Sequence, residues 1–420
     1  MRAEIVGIGT ELLLGEIANT NAQWISGRLA EIGVDVVHHQ VVGDNVERIA
    51  DAFHLALSRS DVVIATGGLG PTQDDVTREA LASAIGVRLV RDRTIEEAIR
   101  ARFARVGREM PESNLRQADV PEGGRVIAAR RGTAPGLVCE VGSSRIYVLP
   151  GVPVEMQEMM EDQVLPELAR AAGPSTIASR AIRCVGIAES RVAELVDDLF
   201  RESTNPTIAF LAGGGEVRVR LTAKARTREE AEAMIAPLAA EVERRIGDSV
   251  YGSDAESLEE VVGRLLASSG RTLACAESLT GGELGARITS VPGASAYFLG
   301  SAVCYSPASK RDLLGVPAHV LEEPGSVSRE CAAAMARGAR SLYRADVALA
   351  LTGAAGPEPH GAAEPGLVWI ALEADGVSHQ RAIRAPGDRS MIRRWAEQAA
   401  LDLIRRHLRG LPLPESDRVV

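Results

Sequence analysis

The stretch AESLTGGELGARITSVPGASAYFLGSAVCYSPASK, residues 276–310, determines how we interpret the last part of the chain. Apolar residues lead into it, then a Thr-Gly-Gly turn and a helical pattern, which predicts a strand, a tight turn and a helix. Such a turn presents Ser278 at the end of the strand. The amides expected to be free for an oxyanion or a phosphate at the helix N-terminus are those of Thr280, Gly281 and Gly282. The alternative is a glycine turn whose serine only caps the helix.

Lysine is almost absent from the chain, which makes each occurrence informative. Of the 47 basic residues, only Lys224 and Lys310 are lysines. Arginine is effectively never deprotonated, whereas a lysine desolvated in a pocket can lose its proton near neutral pH and act as a base. We therefore predict that Lys310 activates Ser278. The alternative is that Lys310 is an ordinary surface residue.

Several motifs in this region resemble, in order and spacing, the nicotinamide-nucleotide amidase domain of the CinA family: AESLTGG, PGASAYFLG, YSPASK, LLGVP, PGSVS and LTGAAGP. The resemblance implies that Ser278 is the nucleophile, that Lys310 is its general base and that Tyr305 lines the same site. We add Gly353, in LTGAAGP, to the candidate oxyanion- or phosphate-binding residues. Residues 357–366 (PEPHGAAEPG) depart from the family's loop. Since this loop is expected to touch substrate, the departure concerns affinity and specificity more than chemistry.

The composition favours several aliphatic α/β domains. The chain has 420 residues, of which 45% are hydrophobic and 3% aromatic, and a net charge of −10. This length predicts two or three domains, and aliphatic cores with many glycines favour α/β layers. The negative charge argues against direct binding of nucleic acid or an anionic membrane, and no apolar run is long enough to span a bilayer.

The cysteines are scattered without CxxC spacing, which predicts reduced thiols and a cytoplasmic location. Cys275 and Cys304 fall near the predicted site. Each sits in an apolar, strand-like run, where cysteine behaves as a small buried hydrophobic residue.

The N-terminal region alternates strand and helix patterns. Strands are predicted at 34–38 and 61–65, and helices at 24–32 and 46–57. Alternation with short connections predicts a parallel sheet covered by helices on both faces.

The second of these strands leads into TGGLGPTQDD. At the carboxyl end of a strand, the amides of Gly67 and Gly68 are well placed to cradle a phosphate. Asp74 and Asp75 follow, and two adjacent carboxylates there could hold a divalent cation that bridges to phosphoryl oxygens. The alternative is that they cap the next helix.

Motifs across residues 1–160 also resemble the molybdopterin-binding-like domain of CinA proteins: GTELLLG, NTNAQ, VGDN, TGGLGPTQDD, NLRQADVPEG, GTAPG and LPGVPVEM. In that family the domain is implicated in hydrolysing the pyrophosphate of ADP-ribose with a divalent metal ion. Val152 stands where the family commonly has proline, and we expect the site to survive. The resemblance implies that the substrate and metal site contains Glu11, Asn21, Gly67, Gly68, Thr72, Asp74, Asp75, Asn114 and Gln117.

The middle of the chain predicts a small α+β module. EVRVRLTAKA alternates as a strand, and REEAEAMIAPLAAEVERRIG has the pattern of an amphipathic helix. Lys224, in the LTAKA motif, is a candidate for contact with a phosphate, although arginine could serve there too. Phe210–Gly215 departs from the family's sequence, so the resemblance does not extend to a ligand contact from that loop.

The last region predicts a second parallel α/β domain, opened by a helix at 257–268. RADVALALTGAAGP and GLVWIAL have the pattern of buried strands. Arg389 and Arg393 lie one helical turn apart and could clamp a phosphate. The alternative is a solvated arginine face. The end of the chain, GLPLPESDRVV, predicts a disordered tail.

The sequence thus predicts an α/β protein with a parallel-sheet molybdopterin-binding-like domain (1–165), a small α+β module (166–253), an α/β amidase domain (254–410) and a tail (411–420). We expect a homodimer that acts on small nucleotides of pyridine-nucleotide recycling. One site would convert nicotinamide mononucleotide to nicotinate mononucleotide and ammonia without metal. The other would split ADP-ribose into AMP and ribose 5-phosphate with a divalent metal ion. The alternatives are a pterin- or nucleotide-binding protein without catalysis, and an interaction protein associated with competence or DNA damage.

Overall fold

The computed structural model describes residues 1–105 and 107–415. The chain forms two compact units. The first contains Met1–Ala178 and Ala223–Met234, and the second contains Ser179–Thr222 and the chain from Ile235 onward.

The N-terminal region alternates strands and helices as predicted. Its strands are β1 (Arg2–Ile8), β2 (Asp35–Val42), β3 (Val62–Thr66), β4 (Leu89–Arg91), β5 (Asp119–Pro121), β6 (Arg125–Ile127), β7 (Gly136–Val141) and β8 (Ser144–Leu149). Its helices are α1 (Thr10–Leu13), α2 (Thr20–Glu31), α3 (Val46–Arg59), α4 (Thr77–Ile85), α5 (Arg93–Arg105), α6 (Pro153–Met159) and α7 (Leu165–Ala172). A 3₁₀ turn at Glu112–Ala118 precedes β5, and a π-helical turn at Met160–Val164 joins α6 to α7. The predicted helix at 24–32 begins earlier, at Thr20, and the predicted strand at 34–38 continues to Val42.

The main sheet of this region has the order β2-β1-β3-β8-β7-β6. The first four strands are parallel neighbours, which confirms the predicted parallel core. β7 runs antiparallel to β8 because a tight turn, with Gly142 at φ 60°, joins the two strands as a hairpin, and β6 also pairs antiparallel with β7. The strand residues alternate between two apolar clusters, so Ile5 and Ile64 pack on one face and Val6 and Val63 on the other.

The middle of the chain folds into a four-stranded sheet with helices. Its elements are β9 (Thr176–Val185), α8 (Glu189–Leu195), α9 (Asp197–Glu202), β10 (Thr207–Gly213), β11 (Glu216–Ala225), α10 (Arg228–Ile246) and β12 (Val250–Ser253). The strand order is β10-β11-β9-β12. Val217, Val219 and Leu221 are buried while Arg218 and Arg220 between them are exposed, which confirms the predicted alternation.

The C-terminal region contains α11 (Leu258–Ser269), β13 (Leu273–Glu277), α12 (Glu283–Thr289), β14 (Phe298–Val303), α13 (Pro307–Leu314), α14 (Ala318–Val320), α15 (Arg329–Tyr343), β15 (Val347–Gly353), β16 (Leu367–Ala374), β17 (Val377–Arg384) and α16 (Arg389–Arg409). The sheet order is β14-β13-β15-β16-β17, and the first three strands are parallel. The prediction of a wholly parallel sheet is wrong for the last two strands. They form a hairpin closed by Asp375-Gly376, a typical two-residue hairpin turn.

Helix α16 ends at Arg409 and is capped by Gly410, which adopts φ 65°. Leu413 still packs against the core of the second unit, and the Pro412 carbonyl accepts a hydrogen bond from Arg406. The predicted disorder of the last five residues concerns positions outside the described residues. None of the described helices is both long and apolar enough to cross a lipid bilayer.

Candidate active site

The turn after β13 presents Ser278 as the sequence predicts. Its backbone N–H donates to the Leu351 carbonyl at 3.0 Å, so the turn is tied to the neighbouring strand β15. Helix α12 starts at Glu283, and its N-cap is Gly282, without a side-chain capping bond. The alternative in which Ser278 caps the helix is therefore wrong.

Glu277 takes the capping role instead. This fully buried carboxylate accepts hydrogen bonds from three backbone amides at the start of α12, those of Gly282 (3.0 Å), Leu284 (3.0 Å) and Gly285 (2.8 Å). The Ser301 hydroxyl donates to it as well, at 2.7 Å. Because a carboxylate satisfies the helix N-terminus, the hydroxyl of the neighbouring serine has no structural role there.

The amides of the turn differ from the expectation. Gly281 N–H donates to the Ser278 carbonyl at 3.1 Å, and Gly282 N–H donates to Glu277. The prediction that these two amides are free is wrong. In the part of the chain that the structure describes, the amides of Leu279 and Thr280 have no acceptor. They are the candidate oxyanion donors, and Leu279 was missed because an apolar side chain gives no sign of its backbone role.

Lys310 is buried at 2% exposure, so the surface-residue alternative is wrong. Its Nζ donates to Thr352 Oγ1 at 3.1 Å and to the Ser326 carbonyl at 3.3 Å. Burial lowers the pKa of this ammonium group. A neutral lysine amine has two N–H donors and one lone pair. With both donors occupied by these acceptors, the lone pair is left to accept a proton.

Thr352 fixes this arrangement from a fully buried position at the end of β15. Its hydroxyl donates to the Ser326 carbonyl at 2.6 Å, so its oxygen faces Lys310 as an acceptor. Neither Thr352 nor Ser326 was predicted from the sequence. The only available signal was that they lie within the motifs LTGAAGP and PGSVS.

A cavity of about 160 Å³ brings most of the candidates together. Ser278 and Lys310 both line it. No hydrogen bond joins Ser278 Oγ to Lys310 Nζ among the described residues, and such catalytic bonds often tighten only when substrate binds. The other predicted residues that line the cavity are Tyr305, Gly353 and Arg389.

The two arginines of α16 have different roles. Arg389 lines the cavity and donates to the Tyr305 hydroxyl at 2.7 Å and to the Gly356 carbonyl at 3.1 Å. Arg393 instead donates to the Thr280 carbonyl at 2.6 Å and pairs with Glu283 at 2.8 Å. The predicted two-arginine clamp is therefore wrong for Arg393, which holds the turn, and so is the solvated-face alternative for that residue.

Close packing of two strands explains why residue 353, which lines the cavity, is a glycine. A Cβ at this position would lie 2.7 Å from the Leu367 carbonyl and 2.9 Å from Val368 Cα. The absence of a side chain thus allows β15 and β16 to approach each other closely.

The loop at residues 357–366 does reach the cavity, through Glu358, Pro359 and His360. The His360 Nε2 atom lies 3.1 Å from the Ser326 hydroxyl. The departure from the family's loop therefore changes part of the cavity wall.

The two thiols near the site are buried rather than reactive. Cys275 and Cys304 are buried, and burial raises the pKa of both. They are buried hydrophobic residues, as expected.

The glycine loop of the N-terminal region lies at the carboxyl end of β3. Gly67 and Gly68 adopt φ 117° and 64°, and a Cβ on Gly67 would lie 2.0 Å from the Ile8 carbonyl. The Gly67 amide donates to the Leu149 carbonyl at 3.0 Å, so it is not free for a phosphate. The buried Arg78 supports the loop by donating to the Leu69 and Gly70 carbonyls, and burial lowers its pKa to about 10.

The two aspartates of this loop differ. Asp75 accepts hydrogen bonds from the Gly70 amide (2.8 Å), the Thr72 amide (2.9 Å) and the Thr72 hydroxyl. Asp74 is exposed, and the nearby Thr72 hydroxyl lowers its pKa. Helix α4 begins at Thr77, and its N-cap has no side-chain capping bond, so the capping alternative is wrong for both.

Asp74 and Asp75 fit a divalent cation that is held mainly by substrate phosphates and water. Residues 1–105 and 107–415 contain no group of three or more His, Cys, Asp and Glu side chains suited to a metal ion. Magnesium is commonly held by one or two carboxylates together with water and substrate phosphates. An ionised, exposed Asp74 beside Asp75 meets that need.

Two other predicted residues line a cavity of about 120 Å³ beside the glycine loop, with Thr66 and Gly151. They are Glu11 and Asn21. Asn21 donates to the Gly151 carbonyl at 2.8 Å, and its Oδ1 is buried without a partner. This oxygen can accept a hydrogen bond from a ligand.

The remaining predicted residues lie outside this cavity. Asn114 and Gln117 are buried and hydrogen-bonded to each other at 3.2 Å, and Gln117 donates to the Leu69 carbonyl at 3.4 Å. They support the glycine loop through the hydrogen bond to Leu69. Lys224 pairs with Asp35 and does not line the cavity.

Three family models match the chain in succession. The "Probable molybdopterin binding domain" matches residues 4–170, the "Damage-inducible protein CinA KH domain" matches 179–252 and the "CinA C-terminal domain" matches 255–408.

Similar proteins extend over the full length. A CinA-like protein of Frankia casuarinae is 48% identical over 424 residues, which cover 99% of this chain and 98% of the relative. One of Dictyoglomus turgidum is 46% identical and covers 98% and 100% of the two chains. A crystal structure of the protein CinA from Thermoplasma acidophilum, described as of unknown function, is 37% identical, covers 40% of this chain and 97% of that chain, and has a TM-score of 0.38. The chain belongs to the CinA family.

Proposed function

We propose that Ser278 and Lys310 form a hydrolase site that cleaves the carboxamide of nicotinamide mononucleotide. The observation that supports it is the environment of Lys310. The amine is buried, its pKa is lowered, it shares a cavity with Ser278, and its hydrogen-bond partners are two neutral oxygens rather than a carboxylate. Such an amine can take the proton of a serine hydroxyl at physiological pH.

In this mechanism neutral Lys310 removes the proton from Ser278 as its Oγ attacks the carboxamide carbon. The amides of Leu279 and Thr280 stabilise the oxyanion of the tetrahedral intermediate. Lys310 then gives the proton to the leaving nitrogen, and ammonia departs from an acyl-enzyme. Water, activated by the same amine, releases nicotinate mononucleotide and regenerates Ser278.

Arg389 supports a substrate that carries a phosphate. It lines the cavity and is exposed, and a guanidinium binds phosphate oxygens through two parallel hydrogen bonds. Its bond to Tyr305 orients it from one side. The phosphate therefore supplies binding energy remote from the reacting carboxamide.

Incubation of the full chain with nicotinamide mononucleotide tests this proposal. We expect nicotinate mononucleotide and ammonia in equal amounts by mass spectrometry and an ammonia assay, with no product from Ser278→Ala. Arg389→Met should mainly raise KM. Absence of product from a folded wild-type protein, or equal activity of Ser278→Ala, would overturn the assignment.

We propose a second activity for the N-terminal region, metal-dependent cleavage of the pyrophosphate of ADP-ribose to AMP and ribose 5-phosphate. The unpartnered Asn21 Oδ1 in the cavity beside Glu11, close to the glycine loop, supports a polar ligand there. Asp74 and Asp75 would hold the divalent cation, which would neutralise charge on the phosphates.

Asp74→Asn is the more specific test of this second activity. Asp75 accepts hydrogen bonds from the amides of its own loop, so its replacement would also disturb the loop. We expect Asp74→Asn to lose AMP formation from ADP-ribose in the presence of magnesium while amide hydrolysis at the other site is unchanged. Binding of ADP-ribose by wild-type protein without turnover would instead favour the non-catalytic alternative.

A further inference from the structure

A small cavity in the second unit contains hydrogen-bond donors that have no partner. It measures about 40 Å³ and is lined by the turn after β9, the turn between β10 and β11, strand β17 and helix α16. Its walls are mainly apolar and include Val185, Ile383, Ala385, Trp395 and Ala399. It is separate from the cavity that contains Ser278.

Arg381 is the first of these donors. The residue is only 6% exposed, and its guanidinium makes no hydrogen bond or ion pair with the described part of the chain. Burial lowers its pKa, as expected for a charge removed from water. A buried charge without a partner is costly, so an anion that entered this cavity would be strongly favoured.

Gln398 is the second donor. It is 3% exposed, and its Oε1 accepts a hydrogen bond from Arg287 at 2.7 Å. This bond fixes the orientation of the amide. Its Nε2 is buried without an acceptor, so a second unused donor lines the cavity with Arg381.

The nearby Asp402 carboxylate raises the pKa of Arg381 through its charge, but no ion pair or hydrogen bond joins the two among the described residues. Asp402 lines the cavity, but its Oδ1 accepts from Arg405 at 2.9 and 2.6 Å and its Oδ2 from Arg406 at 3.0 Å. Arg384, which is exposed, also lines the cavity. Guanidinium groups therefore outnumber carboxylates here, and the surroundings favour an anion.

Gly215 allows the β10–β11 turn to form one wall. It adopts φ 84°, and a Cβ there would lie 3.0 Å from Trp395 Cε3. The departure of this loop from the family's sequence gave no reason to expect a ligand contact from it. The structure instead brings the loop against α16, beside Trp395 and Gln398.

We propose that this cavity binds a small monocarboxylate with a short aliphatic body. Its carboxylate would accept hydrogen bonds from Arg381 and from Gln398 Nε2, and its carbon chain would pack on Trp395 and Ile383. Charge-assisted bonds to arginine favour a carboxylate head, and the apolar walls favour a carbon body over a fully polar ion. The volume suits a molecule of a few heavy atoms and excludes a nucleotide.

Tryptophan fluorescence and the thermal midpoint of the full chain test this site. Formate, acetate and propionate are titrated at constant ionic strength against sodium chloride, with inorganic phosphate as the polar anion. We expect a saturable change in Trp395 fluorescence and a rise in the midpoint, with affinity increasing several-fold from formate to propionate as methylene groups are buried.

The variants decide where the acid binds. Arg381→Met should weaken propionate binding by at least ~10-fold, since it removes the charged donor. Arg394→Met, an exposed arginine of the same helix outside the cavity, should bind like wild type. Trp395→Phe should lose the fluorescence change but keep the thermal shift.

Equal responses to chloride or phosphate and to propionate would overturn the proposal. So would unchanged propionate binding in Arg381→Met. If that variant does not fold, a fluorescence change that persists in Trp395→Phe would place the acid elsewhere and reject the site.

Discussion

At the scale of single residues, the scarcity of lysine in the sequence drew attention to Lys310, which the structure shows to be buried and to line the same cavity as Ser278. A chain that uses arginine almost throughout has lysine at a buried position where a deprotonated amine is useful. The sequence could not reveal Thr352, because its contact with Lys310 joins residues 42 positions apart. It also could not reveal that Glu277 caps α12, since one acidic residue before a turn looks like any other.

Thr352→Val tests whether the orientation of Lys310 matters. Valine keeps the shape but removes the acceptor at 3.1 Å from Nζ. We expect kcat for amide hydrolysis to fall roughly 10-fold with little change in KM, because Thr352 does not line the cavity. Thr352→Ser restores the hydroxyl and should recover most of the rate. A serine variant as slow as the valine variant would show that packing, not the hydrogen bond, is responsible.

Glu397 gives a prediction about pH. Burial, and then the adjacent Glu283, raise its pKa to about 7, and its Oε1 is buried without a partner. Between the ordinary carboxyl pKa of 4.5 and about 7 the folded state holds a proton that the unfolded state has lost. Stability should therefore fall as pH rises through this window.

Glu397→Gln should remove this dependence, because the amide stays neutral. We expect the thermal midpoint of wild type to drop between about pH 5 and about pH 8, and the drop to be smaller by an amount equivalent to roughly 2–3 kcal/mol in the variant. Glu373→Gln is a control at another carboxylate of the same unit. A drop of equal size in wild type and Glu397→Gln would show that Glu397 is ionised in the folded protein throughout.

At the scale of elements, periodicity predicted the helices and strands well, and strand direction less well. The apolar run GLVWIAL is equally suitable for a parallel or an antiparallel strand. The two-residue turn Asp375-Gly376 accounts for its antiparallel pairing with β17. The same holds for β7 and β8, joined through Gly142.

Glu277→Gln tests the turn that links β13 to α12. The carboxylate accepts from three backbone amides and from Ser301, whereas an amide group brings its own N–H donors towards them. We expect a loss of roughly 2–4 kcal/mol of stability and loss of amide hydrolysis, because the oxyanion turn is displaced. Glu283→Gln, at the exposed end of an ion pair, should cost less than ~1 kcal/mol. Similar midpoints for the two variants would contradict the capping role of Glu277.

At the scale of the whole molecule, length and composition predicted several α/β domains. They could not show how the C-terminal core extends beyond the predicted boundary at 254. Val185 and Tyr251 belong to the same apolar cluster as the C-terminal sheet. The fully buried Arg405 donates to the Asp248 carbonyl at 2.7 Å.

A fragment beginning at residue 254 should therefore keep amide hydrolysis but unfold at a lower temperature than one beginning at residue 179. The shorter fragment loses the contacts of Val185 and Tyr251 and leaves Arg405 with fewer acceptors. We expect a difference of several degrees in differential scanning calorimetry. Equal midpoints would mean that residues 179–253 add nothing to the C-terminal core.

The most direct test of the central claim is the rate of ammonia release from nicotinamide mononucleotide by Lys310→Arg, with Lys224→Arg as the matched control. Arginine keeps the positive charge but cannot lose its proton, so turnover by Lys310→Arg should fall by ~10²-fold or more. Lys224→Arg should behave like wild type, because Lys224 pairs with Asp35 and does not line the cavity that contains Ser278. The wild-type rate should also rise with pH as Lys310 loses its proton. A Lys310→Arg protein that is folded by circular dichroism and retains near-native kcat would contradict the assignment of Lys310 as the base.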